Sequence, residues 1–196
     1  QGGTVSETFT VPVDGITLPG TPFDVTSDNS APAAGTYRIT TVAQAGTATT
    51  TLPGTPTADT QVAPDGSLYQ ATSTGTTCDI THIGPTGTTT TALGGKPHNS
   101  MQIAPDSTAY QTSYIHDPAT GYTHYLTTIT PTGTVTSAPL TGSPYGSLQI
   151  GADSTAYQIT ETYDPLTVST AYHLTSVTPT GTTTTNQLTG TPNGGL

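Results

Sequence analysis

The sequence predicts an all-β chain built from a repeated, four-stranded antiparallel sheet. Three observations predict it. Apolar and polar residues alternate in short runs, turn-forming clusters separate the runs, and the whole pattern recurs along the chain. Residues 143–190 show one copy. Leu148 and Ile150 flank Gln149 and begin strand A, and Ala152-Asp153-Ser154 is a turn cluster. Tyr157 and Ile159 alternate with Ala156, Gln158 and Thr160 in strand B, which Asp164-Pro165 breaks. Tyr172 to Val177 form strand C, Pro179-Thr180-Gly181 turns the chain, and a threonine run leads to Leu188 as strand D. Alternation of period two puts every second side chain on one face, which suits a half-buried strand and not a helix. Asp bonds its own backbone, Pro presets φ and Gly supplies positive φ, so each punctuation cluster is a turn with a mechanism.

The copies are marked by Leu-x-Gly-x-Pro, at Leu18 to Pro22, Leu52 to Pro56, Leu93 to Pro97, Leu140 to Pro144 and Leu188 to Pro192. Cutting after each Gly gives units 21–54, 55–95, 96–142 and 143–190, flanked by 1–20 and 191–196. Repeats of this length point to propellers or arrays. Two further marks stay in register. Pro64-Asp65-Gly66, Pro105-Asp106-Ser107 and Ala152-Asp153-Ser154 precede Tyr69, Tyr110 and Tyr157, and Pro-Thr-Gly recurs at 85–87, 131–133 and 179–181. Unit 21–54 is degenerate: Thr36-Tyr37-Arg38-Ile39 matches the Tyr-centred strand, with the Asp turn displaced to Ser27-Asp28-Asn29. Residues 1–20 read as strands C and D alone and 191–196 as the start of strand A, complementary parts of one further blade.

The expected architecture is therefore a single β-propeller domain over 1–196, with about four to five blades in this chain. An open array exposes strand edges, whereas radial closure leaves short, protected ones. Three arrangements stay open: a closed ring, a fragment of a larger ring, and pairing of the complementary ends between molecules, which repeated head to tail makes a filament.

Composition narrows the function. The 196 residues carry a net charge of -10, only two basic side chains (Arg38 and Lys96) and one cysteine. Threonine is roughly a quarter of the residues, far above average usage and suited to strands. A mucin-like stalk has similar composition but needs no alternating apolar residues at matched offsets. Nucleic acid and anionic membrane surfaces are not expected partners, since both are bound by Lys and Arg clusters. No stretch approaches the apolar length of a membrane span. Cys78 forms no disulfide within the chain and reads as a small buried side chain. A start of Gln-Gly-Gly looks processed or excised. Scarce lysine, abundant threonine and a single cysteine point to an extracellular or cell-surface location on a bacterial cell, for a secreted protein.

The order of strand A, Pro-Asp-Gly, Tyr-centred strand B, strand C, Pro-Thr-Gly-Thr and Leu-x-Gly-x-Pro resembles the blade grammar of NHL-type β-propellers. Asp106-Ser107-Thr108-Ala109-Tyr110-Gln111-Thr112 and Thr130-Pro131-Thr132-Gly133-Thr134 are also similar to repeats attached to secreted mycobacterial proteins of the PE and PPE type. The first resemblance covers most of 55–190. It departs in the B–C region, where NHL blades often carry Arg or Asn and this chain has Asp117-Pro118-Ala119-Thr120-Gly121 or Asp164-Pro165-Leu166-Thr167. It implies a module that binds proteins, glycans or polymers, although fold alone does not fix function.

Residues suited to chemistry are few. The five histidines, His82, His98, His116, His124 and His173, fall at different unit positions and lack metal-ligand spacing. Asp65, Asp106 and Asp153 sit where a side chain caps turn amides. No nucleophile elbow, phosphate loop or paired-cysteine motif appears, so no catalytic residue, metal or cofactor is expected. Two surfaces suit binding. Gln61, Gln102 and Gln149 on strand A would line a propeller's channel, as a ring of amides for a sugar or water; Gln70, Gln111 and Gln158 follow the Tyr of strand B. A glutamine ladder bonding blade to blade is the structural alternative. The D–A and B–C loops bring His98, Tyr145, Asp117, Tyr122 and Asp164 to one face, where aromatics suit glycan or protein contacts. The sequence thus points to a non-enzymatic secreted or cell-surface propeller that binds or displays a protein or glycan. The alternatives are a structural subunit of an extracellular filament, O-glycosylated on its threonine runs, and a propeller enzyme.

Overall fold

A computed structural model describes residues 6–8, 23–28, 36–43, 46–57, 60–75, 77–84 and 87–193, with side chains left out at 6–8, 23–28, 36, 42, 43, 46 and 47. The described residues are all-β: four antiparallel sheets of four to five strands, and no helix. The first sheet runs β1 (Ser6–Thr8), β2 (Phe23–Asp28), β3 (Thr36–Ala43), β4 (Gly46–Thr51). The second holds β7 (Leu68–Ser73), β8 (Cys78–Gly84) and β9 (Gly87–Leu93), with β5 (Thr55–Pro56) and β6 (Gln61–Val62) both paired to β7. The third is β10 (Lys96–Ile103), β11 (Ala109–Asp117), β12 (Gly121–Ile129), β13 (Val135–Pro139). The fourth is β14 (Ser143–Ile150), β15 (Ala156–Asp164), β16 (Ser169–Val177), β17 (Thr183–Leu188). Each of units 55–95, 96–142 and 143–190 contains one sheet. Among the described residues no strand pairing closes the sheets into a ring.

The start of the chain differs from expectation. Ser6–Thr8 pairs with β2, Ser6 opposite Thr26, and so completes the sheet of residues 23–51. Tyr37 lies on a third strand and not a second. Its carbonyl accepts the Leu52 N–H at 2.8 Å, as the His124 carbonyl accepts that of Leu140 at 2.8 Å. The Leu-x-Gly-x-Pro motif sets strand C by this bond, and the Tyr alone does not set strand B. Most of 1–22 lies outside the described residues, as do 194–196, and 191–193 are in no strand.

Consecutive sheets pack face to face, and three apolar clusters fill the gaps. Ile39, Leu52 and Leu68 lie between the first and second sheets. Tyr69, Ile80, Met101 and Ile129 lie between the second and third. Tyr110, Leu126, Leu148 and Val177 lie between the third and fourth. A sheet covered on both faces needs apolar residues at successive positions. This is why Leu68-Tyr69, Ala109-Tyr110 and Ala156-Tyr157 recur: the first of each pair packs on the preceding sheet, and in the first two pairs the Tyr packs on the following one.

Polar contacts repeat at the same places. Each Asp caps its own turn, its Oδ1 accepting the N–H of Ser67, Thr108 or Thr155 at 3.0–3.1 Å. The sheets are then clasped in sequence. The Tyr69 hydroxyl donates to the Ser107 carbonyl at 2.9 Å, and the Asp65 N–H donates to the Ser107 hydroxyl at 3.0 Å. One unit later, Tyr110 donates to the Ser154 carbonyl at 2.7 Å and Asp106 N–H to the Ser154 hydroxyl at 3.1 Å. Ser107 and Ser154 hold positive φ, 68° and 63°, where the second sheet has Gly66 at 82°. A non-glycine there is disfavoured, and the clasp supplies the compensating bonds. Gly181 answers another inter-sheet contact. At φ +83° its added Cβ would lie 2.6 Å from Thr136 Oγ1 on the preceding sheet, so this copy of Pro-Thr-Gly needs its glycine twice over.

Candidate functional site

The third sheet carries a ladder of five rings on the face turned toward the fourth sheet. Strands β11 and β12 form a long hairpin in which Tyr114 opposes His124 and His116 opposes Tyr122. Even-numbered residues of both strands share this face with Tyr110 and Leu126, so the apolar inner half continues outward as an aromatic half. His98 joins from β10, its ring centroid 5.6 Å from His124 and 6.2 Å from Tyr114. Tyr122 lies 5.6 Å from Tyr114 and 4.5 Å from His116. The ladder runs from buried to open: His124 is 7% exposed and Tyr122 is 63% exposed.

The ladder has a polar element at its inner end. Nδ1 of His124 is buried without a hydrogen-bond partner in the protein. Burial, with His98 adding repulsion, lowers the His124 pKa from its ordinary value, so the ring is neutral at neutral pH. At the outer end Asp117 closes the hairpin, its Oδ1 accepting the Ala119 N–H at 2.7 Å and the Thr120 N–H at 3.4 Å. Asp164 does the same on the fourth sheet, for Leu166 N–H at 2.8 Å and the Thr167 hydroxyl at 2.8 Å. Both carboxylates are turn caps first.

The structure brings His98 and Tyr122 into one ladder, with Asp117 at its outer end. Tyr145 is on the fourth sheet and packs edge-on against Tyr172, centroids 5.2 Å apart. Gln61, Gln102 and Gln149 are half-buried opposite Tyr69, Tyr110 and Tyr157 on strand B. Two of the strand-B glutamines, Gln111 and Gln158, donate within their own sheets. Gln111 Nε2 donates to its neighbour's carbonyl at Thr112, at 2.7 Å, and across to the His98 and Asn99 carbonyls at 3.2 and 3.1 Å. The pairing register of β10 shifts between His98 and Gln102, and that bulge exposes carbonyls that an amide from the next strand can reach. Gln158 makes the same reach toward Tyr145 and Gly146, at 3.5 Å, beside the bulge of β14. Gln111 thus holds the bulge that positions His98.

Sequence reasoning missed Tyr114, His116 and His124 as ladder members. The signal was the hairpin itself: Asp117 paired with Gly121 fixes a register that brings Tyr114 to His124 and His116 to Tyr122. Equivalence between successive copies runs along the chain and does not report pairing across one hairpin.

Other groups are quiet. A cavity of about 270 Å³ lies at the turn end between the third and fourth sheets, among Asp106, Thr108, Thr130, Pro131, Thr136 and Pro179. In its lining Thr130 bonds Thr132 and Thr134, and Asp106 caps Thr108. Cys78 is buried, and burial pushes its thiol up to about 11, so it is no nucleophile. Among the described residues no group of three or more His, Cys, Asp or Glu is placed to hold a metal ion. No helix among them is long and apolar enough to cross a membrane. No protein-family model matches the chain, and no curated protein matches it.

Proposed function

We propose that the chain is a non-enzymatic binding module, secreted or held at the cell surface, whose four sheets act as propeller-type blades of NHL-like grammar. Its ligand is a glycan, contacted by the ladder of the third sheet. The observation that carries this reading is the graded ladder itself: His98, Tyr114, His116 and Tyr122 in mutual ring contact, leading in to the unpartnered Nδ1 of His124. Flat rings offer apolar faces to the C–H face of a pyranose, and a few polar atoms at the edge fix orientation through its hydroxyls. Sites of this kind need no charge, which fits a chain with only two basic side chains. Four of the five rings sit on one stiff hairpin, which keeps the ordering cost of binding low.

The test is a glycan array followed by calorimetric titration of the best ligand. Tyr122→Ala and His116→Ala are expected to weaken binding at least tenfold, with Leu166→Ser on the neighbouring hairpin as an unaffected control. Absence of any glycan binding, binding indifferent to both ladder variants, or turnover of the bound sugar each refutes the reading. Binding of a protein that Tyr122→Ala abolishes would retain the surface and replace the ligand.

A further inference from the structure

The inner end of the third sheet's ladder holds two histidines from strands that are not neighbours. His98 is on β10 and His124 on β12, with β11 between them. Strands two apart are separated by roughly 10 Å at the backbone, yet the two ring centroids are 5.6 Å apart. The rings therefore lean toward each other across β11. Of the three rings in contact with His124, that of His98 is the nearest. Neither ring is committed elsewhere among the described residues. Nδ1 of His124 is buried without a hydrogen-bond partner, in a residue only 7% exposed. Side chains reach His98 at its carbonyl, from Gln111 Nε2 at 3.2 Å and from the Thr112 hydroxyl, and not at its ring. Leaving a buried polar atom unpaired is unfavourable, so the place calls for a ligand.

The fourth sheet supplies a comparison. Tyr145 stands opposite Ile159 as His98 stands opposite Thr112, and Tyr172 opposite Glu161 as His124 opposite Tyr114. The tyrosine rings meet edge-on at 71° and 5.2 Å, the histidine rings at 74° and 5.6 Å. Ring packing at this place is thus met by two tyrosines, and the histidine pair keeps it while adding ring nitrogens. The backbone also aims His98. Asn99, next to it in the β10 bulge, holds φ 63°, a strained value for a residue with a side chain, and bulges re-aim the side chains beside them.

We propose that His98 and His124 together hold a divalent transition-metal ion, and that zinc fits the pair best. Imidazole suits this class of ion, and a chain of net charge -10 attracts cations. A Zn–N bond of about 2.1 Å places each ring centroid about 3.2 Å from the metal. With one nitrogen of each ring on the ion, a centroid separation of 5.6 Å corresponds to an N–Zn–N angle of about 120°. That is near the tetrahedral angle zinc takes and far from the right angle of a square-planar copper site. Two protein ligands leave the other positions to water or to oxygen atoms of a further ligand. No linear spacing announces the pair, because the sheet and not the chain brings it together.

The test is calorimetric titration of the tag-free chain with Zn²⁺ alone, in the absence of any glycan. One Zn²⁺ per chain should bind at micromolar zinc, without competition from Mg²⁺ or Ca²⁺, which take oxygen ligands. His98→Phe and His124→Phe keep a ring at each place. Each should weaken binding at least tenfold, the least that losing even an outer partner of a metal ligand costs. His173→Gln, on the fourth sheet, should leave binding unchanged. His98 is half-buried, so its variant stays informative if His124→Phe fails to fold. Absence of saturable binding at millimolar zinc overturns the proposal. So does binding of undiminished strength in folded His98→Phe, or binding that His173→Gln removes. The glycan reading stands or falls separately, because its test rests on Tyr122 and His116 and uses no zinc.

Discussion

Deleting one hydroxyl tests the clasp. Tyr69 is 0% exposed, and its hydroxyl donates to the carbonyl of Ser107, itself 3% exposed, at 2.9 Å. Burial pushes the Tyr69 pKa up to about 12, as expected for a phenol held neutral in the core. In Tyr69→Phe the ring still fills its place, so the apolar contribution is nearly unchanged. What is lost is one neutral hydrogen bond of about 1 kcal/mol, and the Ser107 carbonyl is left buried without that donor. Together these cost about 1–2 kcal/mol. For a chain of this size that is a fall of roughly 3–6 °C in Tm. Tyr110→Phe should cost the same through Ser154, where the distance is 2.7 Å. Tyr157→Phe should cost less than about 0.5 kcal/mol, the range for surface changes, because its hydroxyl has no partner among the described residues. The assay is urea unfolding at low micromolar protein, comparing midpoints at constant slope. Equal costs at all three tyrosines, or none at Tyr69 and Tyr110, would refute the clasp.

Other outcomes follow from single positions. Gly181→Ala should cost about 2–3 kcal/mol, since positive φ and the Thr136 hydroxyl 2.6 Å from its Cβ act together; Gly66→Ala, with open space around it, should cost only the 1–2 kcal/mol of its φ. Val168 holds φ 50° at a hairpin tip where the third sheet has Gly121 at 83°, so Val168→Gly should raise stability by about 1 kcal/mol in the same unfolding assay. His82 is buried against Tyr69, ring centroids 4.6 Å apart; burial lowers its pKa below 6.5, and Asp65 offsets this only in part. The unfolded chain therefore takes up that proton first, so His82's contribution is full above pH 6.5 and is lost as pH falls through the lower folded value. Thermal melts between pH 7.5 and 4.5 should show this loss, and His82→Gln should flatten it. Cys78 should resist a thiol reagent in native protein and react on unfolding, followed by release of a chromophoric leaving group.

Much of the fold was legible because the repeat states each strand several times. Alternation located β7, β8, β11, β12, β15 and β16, and the Asp turns were legible because capping is local chemistry over two residues. The first sheet was not, because Tyr37 resembles the strand-B tyrosines while its place is set by a backbone bond to Leu52, which no side chain announces. Ser107 was read only as a turn residue. Its second role depends on a tyrosine 38 positions away and on stacking that one unit cannot show. Of the candidate residues, His98 and Tyr122 fell in the ladder because they are aromatics near loops. His124 was passed over because its value lies in burial, and burial is a property of the packed sheets.

The second, third and fourth sheets are clasped in order, each to the next. Amide hydrogen exchange of the dilute, monomeric chain reads this most directly at Asp65, Asp106 and Asp153. Exchange at Asp65 and Asp106, whose N–H groups bond Ser107 and Ser154, should be slower than at Asp153 by at least tenfold. Equal rates at the three aspartates would contradict it.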